Sequence, residues 1–152
     1  MYRIEVEEVI DMPLDEAFKM LTDHGKYHLY PGIKGALLLK SGDTETNCVG
    51  AIREVKLSGV TLHERIVQFE HNKVMEYRII HSKPIGIDHP LGRMEFAEAE
   101  GNKTKVNWTS EFALKFPIFG QLFDNYVGPR MAKAFAILLH GVASRFRFFN
   151  LE

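Results

Sequence analysis

The sequence predicts an α+β domain in which a curved antiparallel sheet of seven strands wraps around one long C-terminal helix. Seven runs of alternating apolar and polar side chains lie before residue 117, and this alternation is the period of half-buried strands. Three of the breaks between these runs are short and contain turn residues, so most neighbouring strands are expected to pair as hairpins. After residue 117 the apolar spacing changes to that of an amphipathic helix. We expect a single domain over residues 1–152.

The N-terminal segment predicts one strand followed by two short helices. Polar and apolar side chains alternate from Tyr2 to Ile10. Pro13 then opens a stretch with apolar side chains at helical spacing, and proline suits the first turn of a helix because its missing N–H would be unpaired there. Gly25 and Pro31 limit this helical region, so both helices must be short.

Six further strands are predicted between residues 33 and 116. Their boundaries are residues 33–40, 49–57, 60–69, 73–81, 92–100 and 105–116. Short breaks with turn residues occur at 58–59, 70–72 and 101–102, as expected for a meander. The break at residues 83–90 is longer and contains Pro84, Gly86 and Pro90, which predicts a mobile surface loop.

The last part of the chain predicts a single amphipathic helix from about residue 119 to residue 149. Gly128 and Pro129 interrupt its pattern, and a proline inside a helix removes one backbone hydrogen bond. We therefore expect a bend of the helix axis near residue 128. The bend and the loop at residues 83–90 would together form a gate to an internal pocket.

Charge and cysteine content exclude several classes of protein. Lys and Arg (19) nearly balance Asp and Glu (20), and no segment concentrates basic residues, so no nucleic-acid partner is expected. Cys48 is the single cysteine, which excludes an intrachain disulfide and fits a reducing cytoplasm. No run approaches the roughly 20 apolar residues that span a bilayer, so we predict no stable membrane insertion and a cytoplasmic location.

Five segments carry a resemblance to a known family. They are VGAIREV (residues 49–55), HERI (63–66), YRI (77–79), VNW (106–108) and the stretch 120–129. Together with the order of elements they resemble the polyketide cyclase/dehydrase and lipid-transport family of the START-like superfamily, over essentially the whole chain. The resemblance implies the helix-grip fold, with a cavity between sheet and helix that holds sterols, lipids, aromatic polyketides or plant hormones in members of the superfamily.

Arg53 and Glu64 are predicted to share the inward face of two neighbouring strands. A charge on an apolar face is costly unless it is paired, so the simplest arrangement is a cross-strand ion pair at the polar floor of the pocket. Three roles are compatible with that position: a pair that sets strand register, an anchor for a ligand, and a direct part in catalysis.

Aromatic and apolar side chains complete the predicted ligand-binding set. The alternation places Tyr77 and Trp108 on inward faces, where each ring needs a partner for its polar atom, as core packing or as a contact for a ligand oxygen. The helix is expected to contribute side chains at roughly one-turn spacing, namely Phe123, Val127, Met131 and Phe135.

The seven histidines do not predict a metal site or a cofactor. His24 and His28 form the nearest pair, in a segment rich in loop residues, and no zinc-binding motif is present. His89 falls in the predicted loop. His140 could act as an acid or base only if it faced inward, and a surface role is the simpler interpretation. No catalytic motif is recognised, so no catalytic residues are assigned.

Three functions are compatible with these patterns. The first is binding of a small hydrophobic ligand, such as a lipid, a polyketide or an aromatic metabolite, in the cavity. The second is a cyclase or dehydrase reaction in the same cavity, which needs a titratable group with a shifted pKa beside it. The third is a protein-interaction module, which a collapsed pocket and an exposed apolar patch would favour. The ligand and the oligomeric state cannot be read from the residues.

Overall fold

The computed structural model describes residues 1–150, and they form the seven strands and the long helix that the sequence predicts. The first three elements are β1 (Tyr2–Ile10), α1 (Leu14–Leu21) and a 3₁₀ helix (His24–Leu29). The remaining strands are β2 (Gly35–Lys40), β3 (Ile52–Leu57), β4 (Val60–Glu70), β5 (Val74–Lys83), β6 (Ile87–Ala99) and β7 (Lys103–Leu114). The long C-terminal helix is α2 (Gly120–Phe149).

The strands form one antiparallel sheet in the order β1-β7-β6-β5-β4-β3-β2. Strands β2 to β7 are a meander, and β1 pairs with β7, with Tyr2 opposite Phe112 and Ile10 opposite Thr104. This arrangement is the helix-grip fold expected above. Because β1 pairs with β7, the N-terminus lies beside the start of α2, where the Met1 ammonium donates a hydrogen bond to Oε1 of Gln121 (2.8 Å).

One end of the molecule is packed solidly. Phe18 of α1 makes edge-on contacts with Phe69 and Phe96, with ring centroids 5.2 Å and 5.1 Å apart. Leu139 and Val142 of α2 are fully buried against the same cluster. Aromatic rings in this geometry add about 0.5–1.5 kcal/mol per pair beyond the area they bury. The apolar core therefore fills the end of the sheet that α1 covers.

The prediction of a long loop at residues 83–90 is wrong. Strand β5 continues to Lys83 and β6 begins at Ile87, so only Pro84, Ile85 and Gly86 connect them. Pro90 lies inside β6, where the register against β7 shifts between Asp88 and Leu91. A proline is tolerated there because a bulged residue needs no N–H for the ladder. Strand alternation also fails across a bulge, which is why this part of β6 was not predicted as a strand.

The helix α2 continues through Gly128 and Pro129 as one element, and the bend of its axis stays a prediction. Gly128 is buried against β1: a Cβ atom at this position would lie 2.2 Å from Cε1 of Tyr2. Gly141 is in a similar position, because a Cβ atom there would lie 2.4 Å from Cγ of Pro31. The two glycines let α2 approach β1 and the segment after the 3₁₀ helix more closely than any other residue would.

Within residues 1–150, none of the helices has the length and apolar content that crossing a membrane requires.

A candidate ligand-binding cavity

A cavity of about 870 Å³ lies between the sheet and the first half of α2, beyond the end that α1 fills. Its wall is almost entirely apolar and includes side chains from β3, β4, β5, β6, β7 and α2. Leu122, Phe123 and Tyr126 line the cavity and are also exposed to solvent, and so is Pro84 in the β5–β6 turn. The cavity therefore opens between the start of α2 and the tips of the strands.

The structure brings all eight predicted site residues to this cavity. Four of them come from the sheet and four from the helix. They are Arg53, Glu64, Tyr77, Trp108, Phe123, Val127, Met131 and Phe135. Their proximity follows from the topology, because β3, β4 and β5 are sequential neighbours and α2 crosses the same face of the sheet. Whether they contact a ligand stays a prediction.

Arg53 and Glu64 form a buried ion pair at the floor of the cavity. They lie directly opposite each other on β3 and β4, and Nε of Arg53 donates to Oε1 of Glu64 at 2.8 Å. Arg53 is 2% exposed and Glu64 6%. Burial lowers the pKa of Arg53, but the Glu64 carboxylate and the hydroxyls of Tyr27 and Tyr77 more than offset this, so the guanidinium stays charged. Among the described residues, Oε2 of Glu64 has no hydrogen-bond partner.

His24 supports Arg53 from outside the cavity lining, and no local pattern predicts that position. It is fully buried, its Nε2–H donates to the carbonyl oxygen of Asn47 (2.8 Å), and its Nδ1 accepts from a guanidinium nitrogen of Arg53 (3.1 Å). Burial, and then the positive charge of Arg53, lower the pKa of His24 to about 3. A neutral imidazole is the only form that accepts from Arg53, so His24 is a fixed acceptor at neutral pH.

Tyr77 and Trp108 are joined across the cavity wall. Nε1–H of Trp108 donates to the hydroxyl oxygen of Tyr77 at 2.9 Å, and both side chains are buried. Phe135 of α2 stacks on the Trp108 ring, with centroids 3.8 Å apart and planes within 10°. Burial, and then the Glu64 carboxylate, raise the pKa of Tyr77, so its hydroxyl is protonated at neutral pH. The polar atom of each ring thus finds the partner that was expected.

His89 lies in the sheet at the point where β5 and β6 separate. Pairing between these strands ends at Glu76 and Arg93. Beyond that point Nδ1 of His89 accepts a hydrogen bond from the Ile79 N–H (3.1 Å), and its Nε2 lies 3.1 Å from Oγ of Ser110. The imidazole nitrogen therefore accepts the Ile79 N–H in place of a β6 carbonyl oxygen. Burial, and then the charge of Arg78, lower the pKa of His89 to about 4.

Gly92 makes room for this arrangement. The rings of Tyr77 and His89 stack with centroids 5.3 Å apart, and a Cβ atom at residue 92 would lie 2.6 Å from atoms of both rings. Neither ring can move freely, because one holds Trp108 and the other holds Ile79 and Ser110. A side chain at residue 92 would therefore displace the polar contacts of the cavity.

Gly92→Ala is expected to destabilise the protein by about 1–3 kcal/mol, as overpacking of a buried site does. It should also change the intrinsic fluorescence of Trp108, the single tryptophan. The added methyl group would displace the Tyr77 ring and thereby distort the hydrogen bond from Trp108 to Tyr77. Urea unfolding followed by that fluorescence measures both effects. Gly25→Ala is the control, since a Cβ atom at residue 25 meets no other atom within 4 Å. Equal stability and equal Trp108 fluorescence in the two variants would show that the Tyr77 and His89 rings can move to accommodate a methyl group.

Comparisons with known proteins agree with this architecture. The family model described as polyketide cyclase / dehydrase and lipid transport matches residues 1–147. The chain belongs to this family. A comparison with curated protein sequences found no match.

Several solved structures have the same fold as this chain. A START superfamily protein from Mycobacterium smegmatis is 11% identical, with a TM-score of 0.77 and with 96% of this chain and 99% of that chain covered. The Zhui aromatase/cyclase from a Streptomyces species is 17% identical, with a TM-score of 0.76 and coverage of 97% and 95%. TTHA0849 from Thermus thermophilus is 18% identical, with a TM-score of 0.73 and coverage of 98% and 99%. At these identities the likeness concerns the fold.

The remaining histidines of this family member lie away from the cavity. His140 is 54% exposed on α2 with Nε2 3.4 Å from the Glu8 carboxylate, so an inward acid or base is excluded. His63 is on the outer face of β4 and bonds to Glu54 at 2.9 Å. In the part of the chain that the structure describes, no group of three or more His, Cys, Asp or Glu side chains could hold a metal ion.

Two cavity residues with polar functions were missed as site residues for different reasons. His89 lies at the bulge of β6, and no alternation pattern extends across a bulge. Ser110 is two residues from Trp108 on β7, so the period of the strand already placed it on the inward face. Its proximity to Trp108 was the available signal. Only the contact with His89 shows that its hydroxyl belongs to the polar part of the wall.

Proposed function

We propose that the protein binds a small hydrophobic ligand in the cavity between the sheet and α2. The observation that carries this proposal is the volume of about 870 Å³ with its apolar wall. Ordinary ligand sites occupy about 300–1,000 Å³ and combine an apolar lining with a few placed polar groups. Membership of a family described by cyclase, dehydrase and lipid-transport functions supports the same proposal.

The predicted site residues take two roles in this proposal. Phe123, Val127, Met131 and Phe135 of α2 form an apolar wall over the ligand, together with the Trp108 ring. Arg53, Glu64 and Tyr77 supply the polar floor. An ion pair that is only structural would leave its oxygens covered by protein, whereas Glu64 retains one carboxylate oxygen without a partner among the described residues.

A cyclase or dehydrase reaction is the second candidate, and the unpaired oxygen of Glu64 is the observation in its favour. His24 and His89 are each held neutral in one tautomer, and neither has a nitrogen left free for a ligand. Glu64 is the one carboxylate among the described residues that line the cavity. A reaction in this cavity would therefore use Glu64 as its base, through the oxygen that does not bond to Arg53.

An interaction module has less support. That function was expected to show a collapsed pocket, and the pocket here is open. The exposed apolar side chains Leu122, Phe123 and Tyr126 border its mouth, where a ligand would enter.

Saturable binding of the apolar probe 1,6-diphenylhexatriene tests the proposed function. Wild-type protein is expected to bind about one probe per chain, with fluorescence rising as the probe leaves water. Val127→Trp adds volume inside the cavity and should weaken probe binding about tenfold or more, because the larger side chain takes space that the probe would occupy. Probe binding would be followed by titration at constant protein concentration.

Ile137→Trp is the matched control, because Ile137 is on the same helix, 53% exposed and outside the cavity lining. Its probe affinity should equal that of wild type. The proposed function fails if wild-type protein shows no saturable binding, or if the two tryptophan variants lose affinity equally.

A further inference from the structure

Two hydroxyl groups of the cavity each accept a hydrogen bond from a ring N–H and keep their own proton free. These are the hydroxyls of Tyr77 and Ser110, on β5 and β7. Both side chains line the cavity and are at most 4% exposed. The consequence for the ligand follows from the direction of each hydrogen bond.

The direction of the bond at Ser110 follows from the tautomer of His89. The Ile79 N–H is a donor, so Nδ1 of His89 must be the acceptor and the proton of the neutral ring lies on Nε2. Nε2–H therefore donates to Oγ of Ser110. The Ser110 hydroxyl is left with its proton, and no acceptor for it exists among the described residues. In this tautomer His89 cannot remove a proton from Ser110, so the two do not form a nucleophile and base.

Tyr77 shows the same arrangement through a different ring. An indole N–H can only donate, so the Tyr77 oxygen accepts from Trp108, and the Tyr77 proton has no acceptor among the described residues. Trp108 and Ser110 are two residues apart on one face of β7, while the His89 ring stacks on the Tyr77 ring. The stacked His89 and Tyr77 rings thus connect the two hydroxyls, and both face the same cavity.

A buried O–H without a partner is costly, so a ligand that supplies an acceptor oxygen to this wall binds more tightly than one without it. The acceptor should be neutral. The positive charge of Arg53 is already balanced by Glu64, and a ligand carboxylate would have to enter an apolar cavity without a free cation. A carbonyl oxygen meets both conditions.

We infer that the cavity is selective for an apolar molecule with a carbonyl group, whose oxygen accepts hydrogen bonds from the hydroxyls of Ser110 and Tyr77. The inference rests on the proposed function and adds a chemical class to it. His89 is a positioning residue in this site, because it acts on the ligand only through Ser110.

The test compares two probes, Prodan, an aromatic ketone whose emission shifts to the red when its carbonyl accepts a hydrogen bond, and 1,6-diphenylhexatriene, which has no polar atom. Wild-type protein is expected to bind both. Ser110→Ala and Tyr77→Phe should each weaken Prodan binding about fivefold, as the loss of one neutral hydrogen bond does, and shift its bound emission to the blue. Because diphenylhexatriene has no acceptor atom, each variant should change its affinity less than the affinity for Prodan. Circular dichroism and the unfolding midpoint establish that each variant is folded.

The outcomes separate this inference from the proposed function. If diphenylhexatriene binds and Prodan does not, or if the variants change both affinities equally, the carbonyl site is wrong and the apolar cavity stands. If neither probe binds to wild-type protein, both are wrong. Tyr77→Phe tests the site independently should Ser110→Ala fail to fold.

The role of His89 has its own readout. His89→Phe retains a ring against Tyr77 but has no N–H for Ser110, so the Ser110 hydroxyl can rotate. Bound Prodan should then show a broader emission band than it shows in wild-type protein. An unchanged Prodan band in a folded His89→Phe variant would show that His89 has no positioning role.

Discussion

Arg53→Met and Glu64→Leu are each expected to lower the free energy of unfolding by about 3–5 kcal/mol, whereas the double variant should lose less than either. Each single replacement leaves a charge in an apolar environment without its partner, since Arg53 and Glu64 are 2% and 6% exposed. The double replacement removes both charges and leaves only Nδ1 of His24 without its donor. Urea unfolding of the four proteins, as a double-mutant cycle, measures the coupling.

The exposed pair Lys105–Glu7 is the control for this cycle. Its charged atoms are 3.9 Å apart, and the two side chains are 43% and 63% exposed, so its coupling should be below about 1 kcal/mol. If the effects of Arg53→Met and Glu64→Leu simply add, the two side chains do not interact, and the polar floor of the cavity is not as described.

Acidification is expected to destabilise the protein through two buried histidines. Their pKa is lowered from 6.5 to about 3 for His24 and about 4 for His89, chiefly by burial. Between these values and 6.5 the unfolded chain binds more protons than the folded one, so stability is complete above pH 6.5 and falls as the pH falls. Each histidine should lower the free energy of unfolding by about 3 kcal/mol between pH 7 and pH 4, at about 1.36 kcal/mol per pH unit.

Urea unfolding at pH 7, 5.5 and 4 checks this expectation. His89→Gln removes one of the two groups and should reduce the loss between pH 7 and pH 4 by about half of the histidine contribution. His140→Gln is the control variant, because the His140 side chain is 54% exposed. Equal pH dependence in wild type and His89→Gln would mean that His89 is not held neutral by burial.

The strands and the long helix could be predicted because their signals are local. Alternation along β1, β4 and β7 reports the face that each residue presents, and this face is set by the pleat of the strand alone. The inward positions of Arg53 and Glu64 followed from this alternation in two neighbouring runs. Their pairing followed from the cost of a lone buried charge.

The β5–β6 connection could not be predicted, because residue types that favour turns also occur inside the strand that follows it. Pro84, Gly86 and Pro90 are turn residues by type, yet Pro90 lies within β6 at a bulge. A bulge changes which face each following residue presents, so His89 could not be assigned to the cavity. Likewise, His24 belongs to a short 3₁₀ helix, and only the position of that helix beside β3 brings its ring to Arg53.

The sequence by itself determined the α+β class, the order of strands and helices, and eight of the side chains that line the cavity, because periodicity depends on backbone geometry that every residue in an element shares. The tertiary structure alone decided the chemistry of the wall. The tautomer of His89, and with it the free protons of Ser110 and Tyr77, depends on a backbone N–H of β5 that is left without a strand partner. Hydrogen-bond direction is set by atoms that are distant in the chain, and no local pattern records it.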